Sequence, residues 1–162
     1  MEMIPIEPIQ NEETEVLIVG TYPSEISRNL SQYYGNPANH FWKLMSEILG
    51  VDLKEMDYEN RIATLLEHKI GLWDTLKACK ITGSSDSSIH NEEYNDFSQL
   101  IHIKRIICNG KKASDYIQRC NVPENIDILK VPSSSPARAM KFAEKSEEWK
   151  KAINANAELC SD

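Results

Sequence analysis

The chain has 162 residues, of which 41% are hydrophobic and 27% are charged, a composition that is typical of a globular domain and excludes a disordered chain. No apolar run is long enough to span a membrane, and the acidic, proline-containing start lacks the features of signal and transit peptides. We therefore expect a cytoplasmic or nucleoid-associated protein without a membrane partner. The formal net charge of −7 predicts weak non-specific binding to nucleic acid, because any binding face would have to be locally basic.

The four cysteines are far apart in the sequence. None of them lies in a Cys-x-x-Cys pair, which is the spacing that zinc sites and iron–sulfur clusters usually show. We therefore expect reduced thiols, some of them buried, and neither a metal nor another cofactor.

The first predicted elements are a strand and a helix. Residues 1–14 are expected to form an irregular N-terminal extension. The apolar, β-branched run at 16–19 ends at Gly20 and predicts a buried parallel strand. Between residues 40 and 49 the apolar positions recur at helical spacing, and Gly50 follows as the expected C-cap.

The middle of the chain predicts another helix and two further strands, separated by a loop. Residues 57–68 repeat the helical pattern, and the short apolar stretch at 70–73 predicts a second strand. The polar composition of residues 82–88 predicts a loop. The apolar run at 103–108 predicts a third strand, which ends in a turn at 109–110.

The last predicted elements are a helix at 111–120, a strand at 126–131 that Pro132 stops, and a helix that begins at Pro136 and runs to about residue 155. Strands and helices alternate without obvious hairpins. This order predicts an α/β fold of three layers, α/β/α, with a mainly parallel, roughly four-stranded central sheet. Because no internal repeat or long linker divides the chain, residues 1–162 are expected to form a single domain.

Three of the predicted strands end in segments of unusual composition. A ligand in an open parallel sheet binds beyond the carboxyl ends of the strands, so these segments should meet at one edge. They are GTYPS at 20–24, NG at 109–110 and PSSSPA at 132–137, and the long loop YYGNPANHFW at 33–42 follows the first of them. Each segment alone also has an ordinary interpretation as a turn, a helix N-cap or core aromatics. Their convergence predicts a pocket for a flat, polar, uncharged group such as a nucleobase.

Together with GLWDTL at 71–76, GSSDSSI at 83–89 and NGKKA at 109–113, these segments resemble the hypoxanthine-DNA glycosylase branch of the uracil-DNA glycosylase superfamily. The resemblance runs from about Glu15 to the final helix, with several separate motifs in the right order. The stretch NPANHFWKL is also similar to the mismatch-specific uracil glycosylases. The resemblance implies a uracil-DNA glycosylase-like fold and a monofunctional enzyme. Such an enzyme flips deoxyinosine out of DNA and hydrolyses its N-glycosidic bond in base excision repair.

Departures from the wider superfamily bear on the substrate. Many members carry a catalytic asparagine or aspartate just before the proline of the first motif, where this chain has Tyr22. In the hypoxanthine branch the catalytic asparagine corresponds to Asn39 instead. Other branches often have a histidine in the last motif that supports the departing base, and its absence from PSSSPA favours a purine leaving group. His40 stands where the branch usually has arginine, and we expect it to modify the site without being catalytic.

The resemblance also implies roles for individual residues. Asn39 would orient a water and bind the base or the sugar, because an amide has no proton to lose or gain. The first motif, rings that can stack and an amide that reads the base edge would form the base pocket: Gly20, Thr21, Tyr22, Pro23, Ser24, Tyr34, Phe41 and Asn109. The serine-rich motif, the N-terminus of the last helix and nearby cations would contact the DNA: Ser133, Ser134, Ser135, Pro136, Arg138, Lys111 and Lys112. DNA that contains deoxyinosine is the expected partner, bound by a monomer, and no Schiff-base lysine is assigned.

Two aspartates lie in the matching segments and have structural interpretations. Asp74 is expected to cap a following helix, and Asp86 is expected to order its loop through Asx-type hydrogen bonds. Neither is predicted to be the catalytic base.

Three alternatives stay open at this point. The enzyme could prefer uracil or a mismatched base. A nucleic-acid-binding protein without catalysis would explain the missing motif histidine. A serine hydrolase that uses Ser24 or Ser134 with His90 is the third, although the chain has no Gly-x-Ser-x-Gly elbow.

Overall fold

A computed structural model of the chain describes residues 6–80, 90–136 and 140–160. Within these ranges the order of elements is β1 (Val16–Gly20), α1 (Glu25–Leu30), α2 (Phe41–Leu49), α3 (Tyr58–Glu67), β2 (Ile70–Asp74), β3 (Leu76–Lys80), β4 (His90–Tyr94), β5 (Arg105–Asn109), α4 (Lys111–Tyr116), β6 (Asp127–Val131) and α5 (Phe142–Cys160).

The centre of the fold is a four-stranded sheet in which every pair of neighbours is parallel. The strand order is β2-β1-β5-β6. Residues of β1 alternate between two hydrophobic cores, as a strand buried on both faces must. Val16 and Ile18 pack with residues of α2, α3 and α5, whereas Leu17 and Val19 pack with Phe97 and residues of α4. Helices thus cover both faces, and the predicted α/β/α architecture is confirmed.

A two-stranded antiparallel sheet of β3 and β4 stands beside the main sheet. The expectation of a chain without hairpins was therefore wrong at this point. The sequence HNEEY of β4 is almost wholly polar, so neither an apolar run nor a regular alternation marks it as a strand. The predicted polar loop at 82–88 lies outside the described residues.

Several helices begin or end at residues that cap them through short-range interactions. Gly50 ends α2 in the left-handed conformation with φ +72°, as predicted. The side chain of Asp57 accepts a hydrogen bond from the backbone N–H of Asn60 at 2.9 Å and starts α3. Ser24 caps α1, which the sequence did not predict because six residues are too few to show a helical period. The helix expected at 111–120 ends at Tyr116, and a 3₁₀ turn continues it to Arg119.

The last helix begins at Phe142 and not at Pro136. The backbone N–H groups of Ser134 and Ser135 bond to Asn109 Oδ1 and to Ser133 Oγ, so the serine-rich segment is held in a non-helical loop. This long-range contact overrides the helix start that the proline suggested.

The N-terminal segment is tied to the edge of the sheet. Ile9 and Leu72 exchange two backbone hydrogen bonds of 2.9 Å in an isolated antiparallel bridge. The bridge covers part of the exposed edge of β2, which would otherwise offer unpaired backbone groups. None of the helices in the described ranges has the length and apolarity that crossing a membrane requires.

Candidate active site

A cavity of about 560 Å³ opens at the carboxyl edge of the central sheet. It is lined by strand ends, by the loop between α1 and α2, and by the serine-rich segment after β6: Gly20, Thr21, Tyr22, Pro23, Ser24, Ser27, Tyr33, Tyr34, Asn36, Asn39, Asp74, Asn109, Ser133, Ser134, Ser135 and Pro136. The three segments that the sequence singled out do meet at one edge. These described lining residues include no lysine, arginine or histidine, so apart from the carboxyl of Asp74 the polar groups that the cavity offers to a ligand are neutral.

Three neighbouring strands end in one row, which we call the floor row, formed by Asp74, Gly20 and Asn109. The parallel register of β1 and β2 places Gly20 opposite Asp74. The register of β1 and β5 pairs Val19 with Cys108, so the next residue, Asn109, follows beside Gly20. A slip of one residue in either pairing would turn these side chains to the other face of the sheet. The strand register therefore sets the composition of the floor.

Gly20 is required in the middle of the floor row because its neighbours fill the space above it. A Cβ at this position would lie 2.9 Å from Asp74 Oδ1 and 3.7 Å from the hydroxyl of Tyr34. The first distance is shorter than a van der Waals contact. The missing side chain thus makes room for the carboxyl of Asp74 at the floor of the cavity.

Asp74 does not cap a helix, because the strand β3 follows it. The residue is 7% exposed and lines the cavity. Burial raises the pKa of Asp74 to about 7. The prediction for this residue was wrong because the hairpin after it was not anticipated. The signal that was available is its place directly after a buried strand, at the carboxyl edge where ligands bind.

Asn109 connects two walls of the cavity. Its Nδ2 donates hydrogen bonds to the hydroxyl of Tyr34 at 3.1 Å and to Ser134 Oγ at 2.9 Å. Its Oδ1 accepts from the backbone N–H of Ser134 at 2.9 Å. Both amide protons are thus engaged within the protein. Donation from Asn109 to a base edge would require this network to open, whereas the second lone pair of Oδ1 can still accept a hydrogen bond from a base.

Tyr34 stands at the cavity wall and Phe41 lies behind it. Their rings stack at 3.9 Å with an angle of 16° between the planes. Tyr34 adopts the left-handed conformation with φ +54°, a strained state for a residue with a bulky side chain. Burial, with the nearby Asp74, holds the pKa of Tyr34 well above its usual value, so the phenol stays protonated. Phe41 is fully buried and is not among the described lining residues, so it supports the ring of Tyr34 from behind, and its direct contact with a base stays a prediction.

Asn39 lines the cavity and lies just before His40, the residue that precedes α2. Its Oδ1 accepts a hydrogen bond from the backbone N–H of Phe41 at 2.9 Å, which fixes the orientation of the amide. One lone pair of Oδ1 remains, and no acceptor among the described residues bonds to Nδ2. Asn39 is half-buried and follows the exposed Pro37 and Ala38, so it stands nearer the mouth of the cavity than Asp74 does.

His40 links the asparagine loop to the serine-rich segment. Its backbone N–H donates to the carbonyl of Ser134 at 2.9 Å. Its Nδ1 lies 3.3 Å from Nζ of Lys145, a fully buried lysine of α5 that also contacts the Ser135 carbonyl at 3.4 Å. Burial and the adjacent Lys145 lower the pKa of His40. His40 lies outside the lining set, and the sequence carried no signal for the burial of Lys145.

The first motif forms one wall and starts α1. Thr21 and Pro23 are buried, and Tyr22 and Ser24 are half-buried. Ser24 Oγ accepts from the backbone N–H of Ser27 at 3.2 Å, so its hydroxyl serves as an N-cap. The guanidinium of Arg28 donates to the Pro23 carbonyl at 2.6 Å, and its carbon lies 5.6 Å from the centre of the Tyr22 ring. These contacts hold the wall in place from the outside.

The serine-rich segment lines the cavity, as predicted for the pocket at which the three segments meet. Its lining residues are Ser133, Ser134, Ser135 and Pro136. The expectation that the N-terminus of the last helix helps these residues bind phosphate was wrong, because α5 begins only at Phe142.

Arg138 and Asp86 lie outside the described residues. Lys111 and Lys112 are exposed and do not line this cavity. Lys111 pairs with Asp115 at 3.1 Å, and Lys112 lies 5.4 Å from the ring centre of Tyr116. Their contact with phosphate stays a prediction.

The hydroxyl of Ser24 bonds to that of Ser27, and the hydroxyl of Ser134 accepts from Asn109. The side chain of His90 lies outside what the structure describes, so its pairing with either serine in a hydrolase stays a prediction. No group of three or more potential metal ligands occurs within those ranges. Cys108 and Cys120 are buried thiols, and burial raises the pKa of each to about 12.

Comparison with known proteins gives a consistent result. The family model of the uracil DNA glycosylase superfamily matches residues 8–158. A protein of Methanosarcina acetivorans named hypoxanthine DNA glycosylase is 41% identical over 145 residues, which are 87% of this chain and 91% of that protein. One of the same name from Methanosarcina barkeri is 44% identical over 113 residues, 67% of this chain and 72% of that protein.

A solved structure agrees with these sequence matches. An NMR structure of a Methanosarcina acetivorans protein, described as a candidate uracil DNA glycosylase, superposes with a TM-score of 0.83 at 37% identity and covers 94% of this chain and 97% of that one. The chain therefore belongs to the uracil DNA glycosylase superfamily.

Proposed function

We propose that the chain is a monofunctional DNA glycosylase that excises hypoxanthine from DNA by hydrolysing the N-glycosidic bond of deoxyinosine. The observation that carries the proposal is the placement of the Asn39 amide in a cavity whose described lining is polar and without a cation. A polar cavity of about 560 Å³ whose described lining has no cation and a single carboxyl, that of Asp74, fits a flipped nucleobase better than it fits a phosphate or another anion. The names of the relatives support the same substrate.

The geometry of Asn39 narrows its role. Because Oδ1 is held by the backbone N–H of Phe41, the remaining lone pair of Oδ1 and the Nδ2 group face the reaction in a fixed orientation. Neither group can take up a proton at neutral pH. Asn39 therefore orients a water beneath the sugar and bonds the sugar or base, while the phosphates of the DNA favour the cationic sugar. Fixed dipoles of this kind stabilise charge that develops in the transition state.

DNA contacts outside the base pocket are part of the proposal. We place the flanking phosphate at Ser133 and Ser135, whose segment forms the cavity wall next to α4 and α5. Lys111 extends from the neighbouring surface and is exposed. The protein acts inside the cell as a monomer on DNA that contains deoxyinosine, with no metal or organic cofactor.

An oligonucleotide with a single deoxyinosine tests the proposal. It is incubated with the wild type or with Asn39→Ala and then treated with alkali, which cleaves DNA at abasic sites. We expect cleavage by the wild type and a rate about 10²–10³-fold lower for the variant, the usual loss when one oriented donor of an active site is removed. Asn125→Ala is the matched control, since this exposed asparagine lies just before β6 at the opposite edge of the sheet.

The outcomes separate the alternatives. An inert wild type would contradict the proposal and favour a binding protein without catalysis. Faster release of uracil than of hypoxanthine from matched oligonucleotides would make the enzyme a uracil glycosylase. Full activity of Asn39→Ala would move the catalytic group elsewhere. Because Asn39 also bonds the start of α2, thermal unfolding of the variant is recorded alongside, with an expected loss of about 1 kcal/mol.

A further inference from the structure

The carboxyl of Asp74 lines the cavity, and none of the hydrogen bonds or ion pairs between described residues involves it. The residue is only 7% exposed, and burial alone shifts its pKa, with no hydrogen bond or cation of a described residue contributing. Oδ1 lies beside the gap at Gly20, and the hydroxyl of Tyr34 borders the same gap. An enclosed carboxyl without a partner is costly to a folded protein. Because Asp74 lines the cavity, a ligand bound there can supply a hydrogen-bond partner for its carboxyl.

The surroundings of Asp74 keep it neutral over part of the physiological range. The titratable groups that face it are the phenols of Tyr33 and Tyr34, and burial holds the pKa of each far above its usual value, so both stay protonated. Its neighbours in the sheet and in β3, Gly20 and Leu76, carry no charge. No described cation offsets the charge of an ionised Asp74. Burial accordingly raises the pKa of this carboxyl to about 7.

We propose that Asp74 in its protonated form is a second catalytic residue, which contacts the flipped base and gives it a proton as the glycosidic bond breaks. The proposal rests on the proposed function, because it needs a base held in the cavity. The arrangement of the two polar groups supports it: Asn39 is near the mouth, and Asp74 is at the floor. The base of a flipped nucleotide enters the cavity ahead of its sugar. The base therefore reaches Asp74, whereas the sugar stays near Asn39.

The step balances without any further reactant. The bond between C1′ and the base nitrogen breaks, and its electron pair goes to the purine. The carboxylic proton of Asp74 passes to a ring nitrogen, which leaves neutral hypoxanthine and a carboxylate. Water adds its oxygen to C1′, and the proton that this water loses is equivalent to the one that restores Asp74. The sum is deoxyinosine plus water giving an abasic sugar plus hypoxanthine.

The opposite assignment, an ionised Asp74, fits the site less well. The departing base develops negative charge, and a carboxylate at the floor would repel it across a short distance inside a low-dielectric cavity. No lysine, arginine or histidine among the described lining residues would offset that repulsion. The described lining contains no other group that can transfer a proton near neutral pH, because the tyrosines are held protonated. The neutral acid is therefore the form that assists the reaction.

Single-turnover rates of hypoxanthine release between about pH 5.5 and pH 9 test the proposal. The wild type should show a plateau at low pH and a fall of about tenfold per pH unit above about pH 7. Asp74→Asn, which keeps the size and the hydrogen-bonding groups but cannot give up a proton, should be about 10²-fold slower at pH 6 and flat with pH. The dissociation constant for the deoxyinosine oligonucleotide should change less than about threefold, since proton transfer and not binding is lost. Asp52→Asn is the control, because this exposed aspartate makes no side-chain cap bond and lies outside the cavity.

The outcomes that overturn the proposal are distinct from failure of the proposed function. A wild type that releases no base contradicts the function itself. A wild type that is active but whose rate rises through pH 7 would make Asp74 a carboxylate catalyst and overturn the proposal without any variant. So would an Asp74→Asn enzyme with the wild-type rate at pH 6, or one whose loss is confined to the dissociation constant.

Discussion

Burial of the Asp74 carboxyl predicts how the free energy of unfolding depends on pH. Asp74→Asn replaces an ionisable group by a neutral one of nearly the same size and leaves the cavity lining otherwise unchanged. The pKa of this carboxyl rises from an ordinary value of 3.8 to about 7 in the folded protein. A difference of about three pKa units corresponds to roughly 4 kcal/mol, since each unit is worth about 1.4 kcal/mol.

The sign of the effect follows from proton binding. The folded state binds the proton of Asp74 more tightly than the unfolded state does, so its contribution to stability is fully present below about pH 4. It is lost as the pH rises towards about pH 7, the folded pKa. The neutral amide of the Asp74→Asn variant would carry no such contribution. The stability of the variant relative to the wild type should therefore rise by about 3–4 kcal/mol between about pH 4 and pH 8.

Urea unfolding followed by circular dichroism measures this difference at several pH values. Groups that are unchanged between the two proteins cancel in the comparison, so the pH dependence of the difference reports Asp74 alone. In thermal unfolding the same change corresponds to roughly 10 °C for a domain of this size. Asp52→Asn should show a constant difference across the range. A gap between Asp74→Asn and the wild type that does not widen with pH would show that the pKa of this carboxyl is not raised in the folded protein.

Two glycine substitutions test the geometry of the site. Gly20→Ala places a Cβ 2.9 Å from Asp74 Oδ1, and we expect it to displace the carboxyl and slow hypoxanthine release by roughly 10²-fold, since misplacement of about 1 Å has that effect; an unaltered single-turnover rate would contradict this. Gly110→Ala combines φ +97° with a contact of 3.1 Å to Ser133 Cβ, whereas Gly50→Ala has φ +72° and open space. Urea unfolding should show a loss of about 1–2 kcal/mol for Gly50→Ala and a larger one for Gly110→Ala; equal losses would mean that the contact with Ser133 is without effect.

The central sheet was predictable because its strands are short apolar runs with clear ends. The run before Gly20 has no polar residue, and it is buried on both faces as that pattern implies. The edge at which the motifs meet follows from the parallel order alone. The helix α2 was equally clear, since its apolar positions repeat at helical spacing and Gly50 stops it. These features depend on neighbours within a few residues, which is the range over which sequence patterns carry information.

The role of Asp74 was beyond that range. Its burial depends on the pairing of β2 with β1, on the absence of a side chain at Gly20 and on the hairpin that replaces the expected helix. Asn109 shows the same limitation in another form: its place at the strand end was predicted, but its engagement by Ser134 depends on a loop 25 residues away. Local composition does not report contacts of this kind.

The distribution of charge around the cavity accounts for DNA binding by an acidic chain. With a net charge of −7, the protein cannot rely on a general attraction to phosphate. The described lining of the base cavity is uncharged apart from Asp74, whereas a neighbouring cavity of about 630 Å³ includes two lysines, Lys111 and Lys130, beside one acid, Glu148, and shares Ser133 with the first. A phosphate next to a flipped nucleotide would lie towards that shared wall. If Asp74 gives the base its proton, a fixed cation beside it would hinder the reaction, because it would hold the carboxyl ionised. The described lysines lie instead on the side where we expect the flanking phosphate.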